Sequence, residues 1–251
     1  MKKIFISVLC ILTLVSCVSS YETQMRQKKI ADAIYQEGKV YFSQKRYSIA
    51  LGKMLEAEKT IKDDQFLQYD IGMIYMIKER YKSAAIHFAR AFKLDNNFFP
   101  ALNSLGAAYL EQKQWDKAIT CFKQCSLSLF YATPHYSIAN LGWAYLGKRE
   151  YNTSESYFLK ALKHVPNYLS ALHGLISVYL VINREDLAIS RLEKALKKLP
   201  DAMIIHYDLA RTYEKIGQYS RAKIFWEKVT KEAPENSNFF REAEDRLSKI
   251  L

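Results

Sequence analysis

The sequence predicts an all-α solenoid of stacked helix pairs, and three observations carry that prediction. Tyr41, Tyr75, Tyr109, Tyr145, Tyr179 and Tyr213 are separated by 34, 34, 36, 34 and 34 residues. Four of them follow a glycine by three positions (Gly38, Gly72, Gly106 and Gly142), most clearly in Leu105–Tyr109 and Leu141–Tyr145. Downstream of each tyrosine the same three slots recur. Nine residues on stands Ala50, Ala84, Ala118, Ser154, Ala188 or Ala222. Four further on stands a large apolar residue: Met54, Phe88, Phe122, Phe158, Leu192 or Trp226. Three beyond that stands a compact one: Ala57, Ala91, Cys125, Ala161, Ala195 or Val229. Self-similarity at a fixed period of this length marks a repeat architecture, in which each unit buries its apolar face only against its neighbours.

Two antiparallel helices per repeat satisfy this pattern. The glycine and alanine slots let the backbones approach, and the aromatic ring fills the space between neighbouring pairs. Tyr109 is therefore expected to be buried. Pro166, Pro200 and Pro234, five residues past the compact slot, stop the second helix. The period and the marks resemble the tetratricopeptide repeat. The resemblance implies a right-handed superhelical solenoid of six tetratricopeptide (TPR) helix-turn-helix repeats plus a C-terminal capping helix.

In chain order, residues 1–16 read as a lipoprotein signal peptide. Lys2 and Lys3 precede an apolar stretch, Ile4 to Val15, that is shorter than the roughly 20 residues a bilayer span needs. It ends Leu14-Val15-Ser16-Cys17, which resembles the bacterial lipobox. That resemblance implies cleavage before Cys17 and acylation of its thiol and new amine; the alternative is an ordinary signal peptide that happens to contain Cys17. Two or more acyl chains anchor stably where one is marginal. Val18, rather than Asp, after the cysteine favours the outer membrane, with the chain facing the periplasm. Residues 17–30 read as the acylated cysteine and a short tether. There Arg26, Lys28 and Lys29 either meet anionic head groups or solvate the first helix.

The six repeats are placed at 31–64, 65–98, 99–134, 135–168, 169–202 and 203–236. The third carries two extra residues, and the fifth is the least typical, with Ile176 for glycine and Glu185 for an aromatic. Residues 237–251 form an amphipathic cap, with Phe240, Ala243 and Leu247 on one side.

The net charge of +11 falls to +9 once Lys2 and Lys3 leave with the leader. A basic balance raises nucleic acid as a partner, but export argues against it. Many of the bases (Lys93, Lys163, Lys194, Lys197, Lys231) sit where they complement second-helix C-termini. Cys121 and Cys125 are either small core residues or a redox pair. The five histidines form no ligand spacing, and neither a phosphate loop nor a nucleophile elbow is present. Catalytic residues, metal, cofactor and small-molecule substrate are all expected to be absent, and the chain is read as a binding protein.

In the repeat family the first helix of each pair lines the concave face through repeat positions two, five, nine, twelve and thirteen. Carried over, repeat one offers Tyr35 and Phe42, and repeat two offers Phe66, Tyr69, Met73 and Met76. Repeat three offers Asn103 and Leu110, and repeat four Tyr136, Trp143 and Leu146. Repeat five offers His173 and Leu180; repeat six turns polar with Tyr207, Arg211, Glu214 and Lys215. An aromatic and Met-rich groove suits an apolar peptide or helix; the alternative is that Phe66, Tyr69 and Trp143 only pack between repeats.

A lipobox, a short tether, six repeats and a terminal helix resemble the type IV pilus pilotin lipoproteins, the PilF/PilW family. The extended third repeat, with Tyr131-Ala132-Thr133-Pro134 followed by Asn140-Leu141-Gly142, carries the resemblance further. It implies a protein that binds an outer-membrane secretin subunit and promotes its localisation and assembly in type IV pilus biogenesis. The competing class is a repeat lipoprotein that adapts periplasmic proteases or cell-wall hydrolases. An accessory protein of β-barrel assembly is a third.

Overall fold

The computed structural model describes the backbone at residues 2–128 and 131–250, with side-chain surroundings given from Tyr21 onward. Among the described residues every regular element is a helix: α1 (Lys2–Ser43), α2 (Tyr47–Ile61), α3 (Gln65–Ile77), α4 (Tyr81–Leu94), α5 (Phe99–Glu111), α6 (Trp115–Leu127), α7 (Pro134–Gly147), α8 (Tyr151–His164), α9 (Leu169–Val181), α10 (Glu185–Leu196), α11 (Met203–Lys215), α12 (Tyr219–Glu232) and α13 (Asn238–Lys249). Two compact units result, Met1–Gln112 with α1 to α5 and Lys113–Leu251 with α6 to α13.

The repeat pattern explains the packing within each unit. The large apolar slot is the core: Met54, Phe88, Phe122, Phe158, Leu192 and Trp226 are each 0% exposed. The small slot nine residues after each tyrosine is equally closed. A Cβ on Gly72 would lie 2.6 Å from the Phe88 ring, and one on Gly142 would lie 2.7 Å from Phe158. Glycine is thus required there by close approach rather than by backbone conformation. Repeat five has Ile176 at the expected glycine place, and this side chain is fully buried. The close approach moves two residues back, to Gly174, where a Cβ would meet Phe158 Cζ at 2.2 Å. Ala195 is the one compact slot that is only partly buried.

Each first helix ends the same way. The residue four past the signature tyrosine has a left-handed backbone: Lys45, Glu79, Lys113, Arg149, Asn183 and Gly217, with φ from 56° to 75°. The following N–H returns to the tyrosine carbonyl, from Arg46 to Tyr41, Arg80 to Tyr75, Glu150 to Tyr145, Arg184 to Tyr179 and Gln218 to Tyr213, at 2.8–2.9 Å. This is the six-to-one closure of a Schellman motif, in which glycine is the unstrained choice. Only repeat six uses it.

The tyrosine rings correct the expectation of full burial. Tyr179 and Tyr213 are 3% exposed, but Tyr41, Tyr75, Tyr109 and Tyr145 are half-buried. The ring lies along the second helix, not under it. Tyr145 stacks on Tyr157 at 5.3 Å, Tyr75 on His87 at 5.4 Å and Tyr213 on Phe225 at 5.8 Å. One face packs, while the other stays open unless the next repeat covers it.

Helix α1 is longer than a single repeat helix. It runs without interruption through the leader and tether segments into repeat one. No glycine or proline precedes Gly38, so the backbone meets no breaker. Residues 21–30 are exposed on every side. The side chain of Cys17, the expected lipidation site, lies outside the described residues. Among the described residues no helix is long and apolar enough to cross a membrane.

At the other end α13 closes the array. Ser237 caps it, its Oγ accepting from the Phe240 N–H at 3.1 Å. Ala243 is fully buried, and Arg246 pairs with Glu214 at 3.0 Å.

Candidate partner-binding face

The predicted face residues sit on first helices, as their register requires, but the structure divides them into two groups. One group turns inward and bolts repeat to repeat. Tyr35 is 6% exposed and donates its hydroxyl to Asp70 Oδ2 at 2.7 Å. Tyr207, 8% exposed, donates to Glu242 Oε2 at 2.9 Å. His173 lies 2.8 Å from Asp208 Oδ1 through Nδ1, so this nitrogen carries the proton and donates. Each pair is 35 residues apart, one repeat plus one position. Burial first, then the carboxylate partner, pushes the Tyr35 hydroxyl well above its usual value. Burial likewise pushes Tyr207 up to about 12, opposed by Arg211. Asp208 is raised by burial against the lowering effect of His173, and Asp70 by burial against its bond from Tyr35.

The second group faces outward. On α3, Phe66, Tyr69, Met73 and Met76 fall on one helical stripe with Ile77. Phe66 is 54% exposed and Ile77 43%, while Tyr69, Met73 and Met76 are half-buried. Phe66 and Tyr69 both pack edge-on against Phe98, at 5.4 and 5.1 Å. Tyr136 repeats the arrangement in the second unit, 43% exposed and edge-on to Tyr168 at 5.5 Å. Phe42 is half-buried against Tyr47, and Asn103 is half-buried on α5.

In the second unit an aromatic row follows the first helices. Trp143 lies 5.5 Å from His173, His173 6.0 Å from Tyr207, and Tyr207 4.9 Å from Phe239. Trp143 is half-buried, rests edge-on against the core ring of Phe158 at 5.3 Å and reaches Ser170 through Nε1. Beside this row is a cleft of about 580 Å³. Its floor is Leu146, Leu180 and Val181; Arg211, Lys215 and Arg246 stand with Glu214 and Glu242 around it.

Most of these charges are already committed. Lys215 pairs with Glu185 at 2.6 Å and donates to the Leu180 carbonyl. Glu214 accepts from both Arg246 and Trp226 Nε1 at 3.0 Å. Arg211 lies over the Tyr207 ring at 5.3 Å and 3.9 Å from Asp208.

The register missed several lining residues. Ser177 and Val181 occupy repeat positions nine and thirteen, so it had already pointed to them. Glu242 and Arg246 belong to the cap, where no register applied; the 35-residue step from Tyr207 locates Glu242. The carboxylates Asp70 and Asp208 stand at the same step.

Nothing in the site is poised for bond chemistry. Cys121 and Cys125 are buried and free, with thiols pushed up to about 11 and about 12 by burial, the opposite of an activated thiolate. Among the described residues no group of His, Cys, Asp or Glu can hold a metal ion. What the arrangement offers is a concave strip of aromatic, Met and aliphatic surface edged by charge.

Models of the tetratricopeptide repeat family match residues 67–98, 101–129, 135–163 and 183–241, together more than half of the chain. Among solved structures, PilW, described as a widely conserved type IV pilus biogenesis factor, aligns with TM-score 0.72 and 14% identity over 86% of this chain and 98% of its own. PilF of Pseudomonas aeruginosa aligns with TM-score 0.64 and 16% identity, covering 87% of this chain and 98% of its own. A tetratricopeptide repeat protein of Parabacteroides merdae aligns with TM-score 0.73 and 12% identity, covering 88% and 84%. No curated sequence matches this chain.

Proposed function

The chain belongs to the tetratricopeptide repeat family, and from that premise we propose that it is a lipid-anchored adaptor that captures a protein partner on its first-helix face. The observation that carries this reading is the outward stripe of α3, with Phe66 54% exposed beside Met73 and Met76. A folded chain rarely leaves such a contiguous aromatic and Met surface to solvent unless a partner covers it. The inward-facing tyrosine and histidine bolts hold that surface rigid, which lowers the entropy lost on binding.

The partner we propose is an outer-membrane secretin subunit, with the protein acting as its pilotin in type IV pilus biogenesis. Support comes from Leu14–Cys17 at the end of an apolar leader, and from two type IV pilus proteins that align over nearly their whole lengths. Acylation at Cys17 places the chain on the periplasmic side of the outer membrane. A tethered groove raises the local concentration of bound subunits at the bilayer, where they assemble. Crosslinking in intact cells from a photoreactive residue at position 66, with identification of the captured protein, tests the assignment. Capture of the secretin is expected; capture of a periplasmic protease or cell-wall hydrolase in its place would replace the pilotin reading with the adaptor one.

A further inference from the structure

We propose that the turn edge of the first unit is a second docking site, for an acidic segment of a protein partner. This edge is formed by the loop between α1 and α2 and the loop between α3 and α4. Lys45, Arg46, Arg80 and Lys82 are exposed there and Lys78 is half-buried. Lys78 Nζ donates to Ser48 Oγ at 3.1 Å, which brings the two loops together. Arg46 lies over the Tyr41 ring at 4.8 Å. Among the described residues, none of these five cations has a carboxylate within ion-pairing distance. The acids at the edge are Glu79 and Glu111, both exposed, so five cations stand against two anions.

The helix ends sharpen the imbalance. α2 and α4 both begin here, with Arg46 and Arg80 at their N-cap positions, no capping side-chain hydrogen bond and no acidic residue in the first turn. A cation beside the positive end of a helix is unfavourable, and a carboxylate there is favourable. In the second unit α6 and α10 carry that carboxylate themselves, as Asp116 and as Glu185 with Asp186. In the first unit it has to come from outside. Ile49 and Ile77, 41% and 43% exposed, flank the cations. The chemistry that fits is therefore a segment of Asp or Glu with interspersed apolar residues.

An anionic bilayer offers negative charge too, and the choice against it rests on the anchor reading above. Cys17 and Ser43 belong to one helix, 26 residues apart. At 1.5 Å per residue this is roughly 39 Å, so the edge lies at the end of α1 away from the anchor.

Fluorescence anisotropy of a fluorescein-labelled peptide of repeating Glu-Glu-Leu, titrated with the full chain, tests the site. Arg46→Glu with Arg80→Glu and Lys82→Glu is expected to weaken binding at least about tenfold, as like charges replace complementary ones. The milder Gln triple at the same positions falls between, and far-UV circular dichroism checks that both variants fold. Reversing Lys59, Lys62 and Lys93, exposed at the opposite end of the same unit, is expected to change affinity by less than about twofold. Equal loss in both triples means diffuse charge attraction and overturns the site, as does no loss in the first. Phosphatidylglycerol vesicles that bind the wild type but not the edge variant would transfer the edge to lipid. Secretin assembly in cells reads the groove separately, so normal assembly with lost peptide binding leaves the pilotin reading intact.

Discussion

Gly174→Ala and Gly52→Ala are the same chemical change and are expected to move stability in opposite directions. Both residues lie inside helices, α9 and α2, where alanine is preferred over glycine by about 1 kcal/mol. At Gly52 nothing lies within 4 Å of the new methyl group, so that preference is the whole effect. At Gly174 the methyl would sit 2.2 Å from Phe158 Cζ and 2.3 Å from Cε1. Carbon atoms pack at about 3.5–4.0 Å, so the ring or a helix must shift by roughly 1.5 Å. The ring has little room to retreat, because Gly142 already touches its other edge and Trp143 leans on its face. Overpacking of this kind costs about 3 kcal/mol, leaving a net loss of about 2 kcal/mol after the helix gain. For a chain of this size the melting temperature should fall by roughly 4–8 °C for Gly174→Ala and rise by roughly 2–4 °C for Gly52→Ala. Thermal melts by far-UV circular dichroism read both. Adding Phe158→Leu, which shortens the obstructing ring, should recover part of the Gly174→Ala loss in a double-mutant cycle. A Gly174→Ala protein that melts at or above wild type, or a cycle with no coupling, would refute the packing of Phe158 between successive first helices.

Arg149→Gly relieves a left-handed backbone at φ 63° and should stabilise the second unit by about 1 kcal/mol, whereas Gly217→Ala should cost a similar amount; urea midpoints decide. His87 is held below its ordinary value of 6.5 chiefly by burial, with Glu58 opposing. Its neutral form donates from Nδ1 to Gln68 Oε1 at 2.8 Å. The unfolded chain binds this proton first, so stability should decline as pH falls below about 6.5 toward the lowered folded value, and His87→Leu should flatten that part of the melting curve against pH. Cys17→Ser removes the thiol that the lipid reading requires. The variant should leave the membrane fraction with its helix content unchanged; full retention would contradict acylation.

The core was the most legible part of the molecule, because burial repeats with the period. Met54 through Trp226 could be picked out by counting from the tyrosines, and all six are closed to solvent. The turn chemistry was not legible. The left-handed residue that ends each first helix is Lys, Glu, Lys, Arg or Asn in five copies, and the strain is overruled by packing on both sides, so only Gly217 advertises it. The long α1 was hidden by the functional reading of its sequence as leader and tether, although residues before Gly38 contain no helix breaker. For the binding face the register named the right helices but not the direction of each side chain. Tyr35, His173 and Tyr207 turn inward because Asp70, Asp208 and Glu242 stand one repeat and one residue later. That spacing was present in the sequence, but hydrogen-bonding across repeats leaves no periodic hydrophobic signal. Phe66 and Tyr136 have no such partner and stay outside.

Those two residues give the most direct test of the central claim, that the first-helix face captures the partner. Both expose two-fifths or more of their surface, so Phe66→Ala with Tyr136→Ala removes contact area at little cost to the fold. The measurement is the amount of assembled secretin ring in outer-membrane fractions of cells carrying the double variant, with the level and membrane retention of the variant protein followed alongside. A marked fall in the assembled ring, with protein level and anchoring unchanged, is the predicted result. Full assembly with the double variant, where deletion of the repeats abolishes it, would contradict the account.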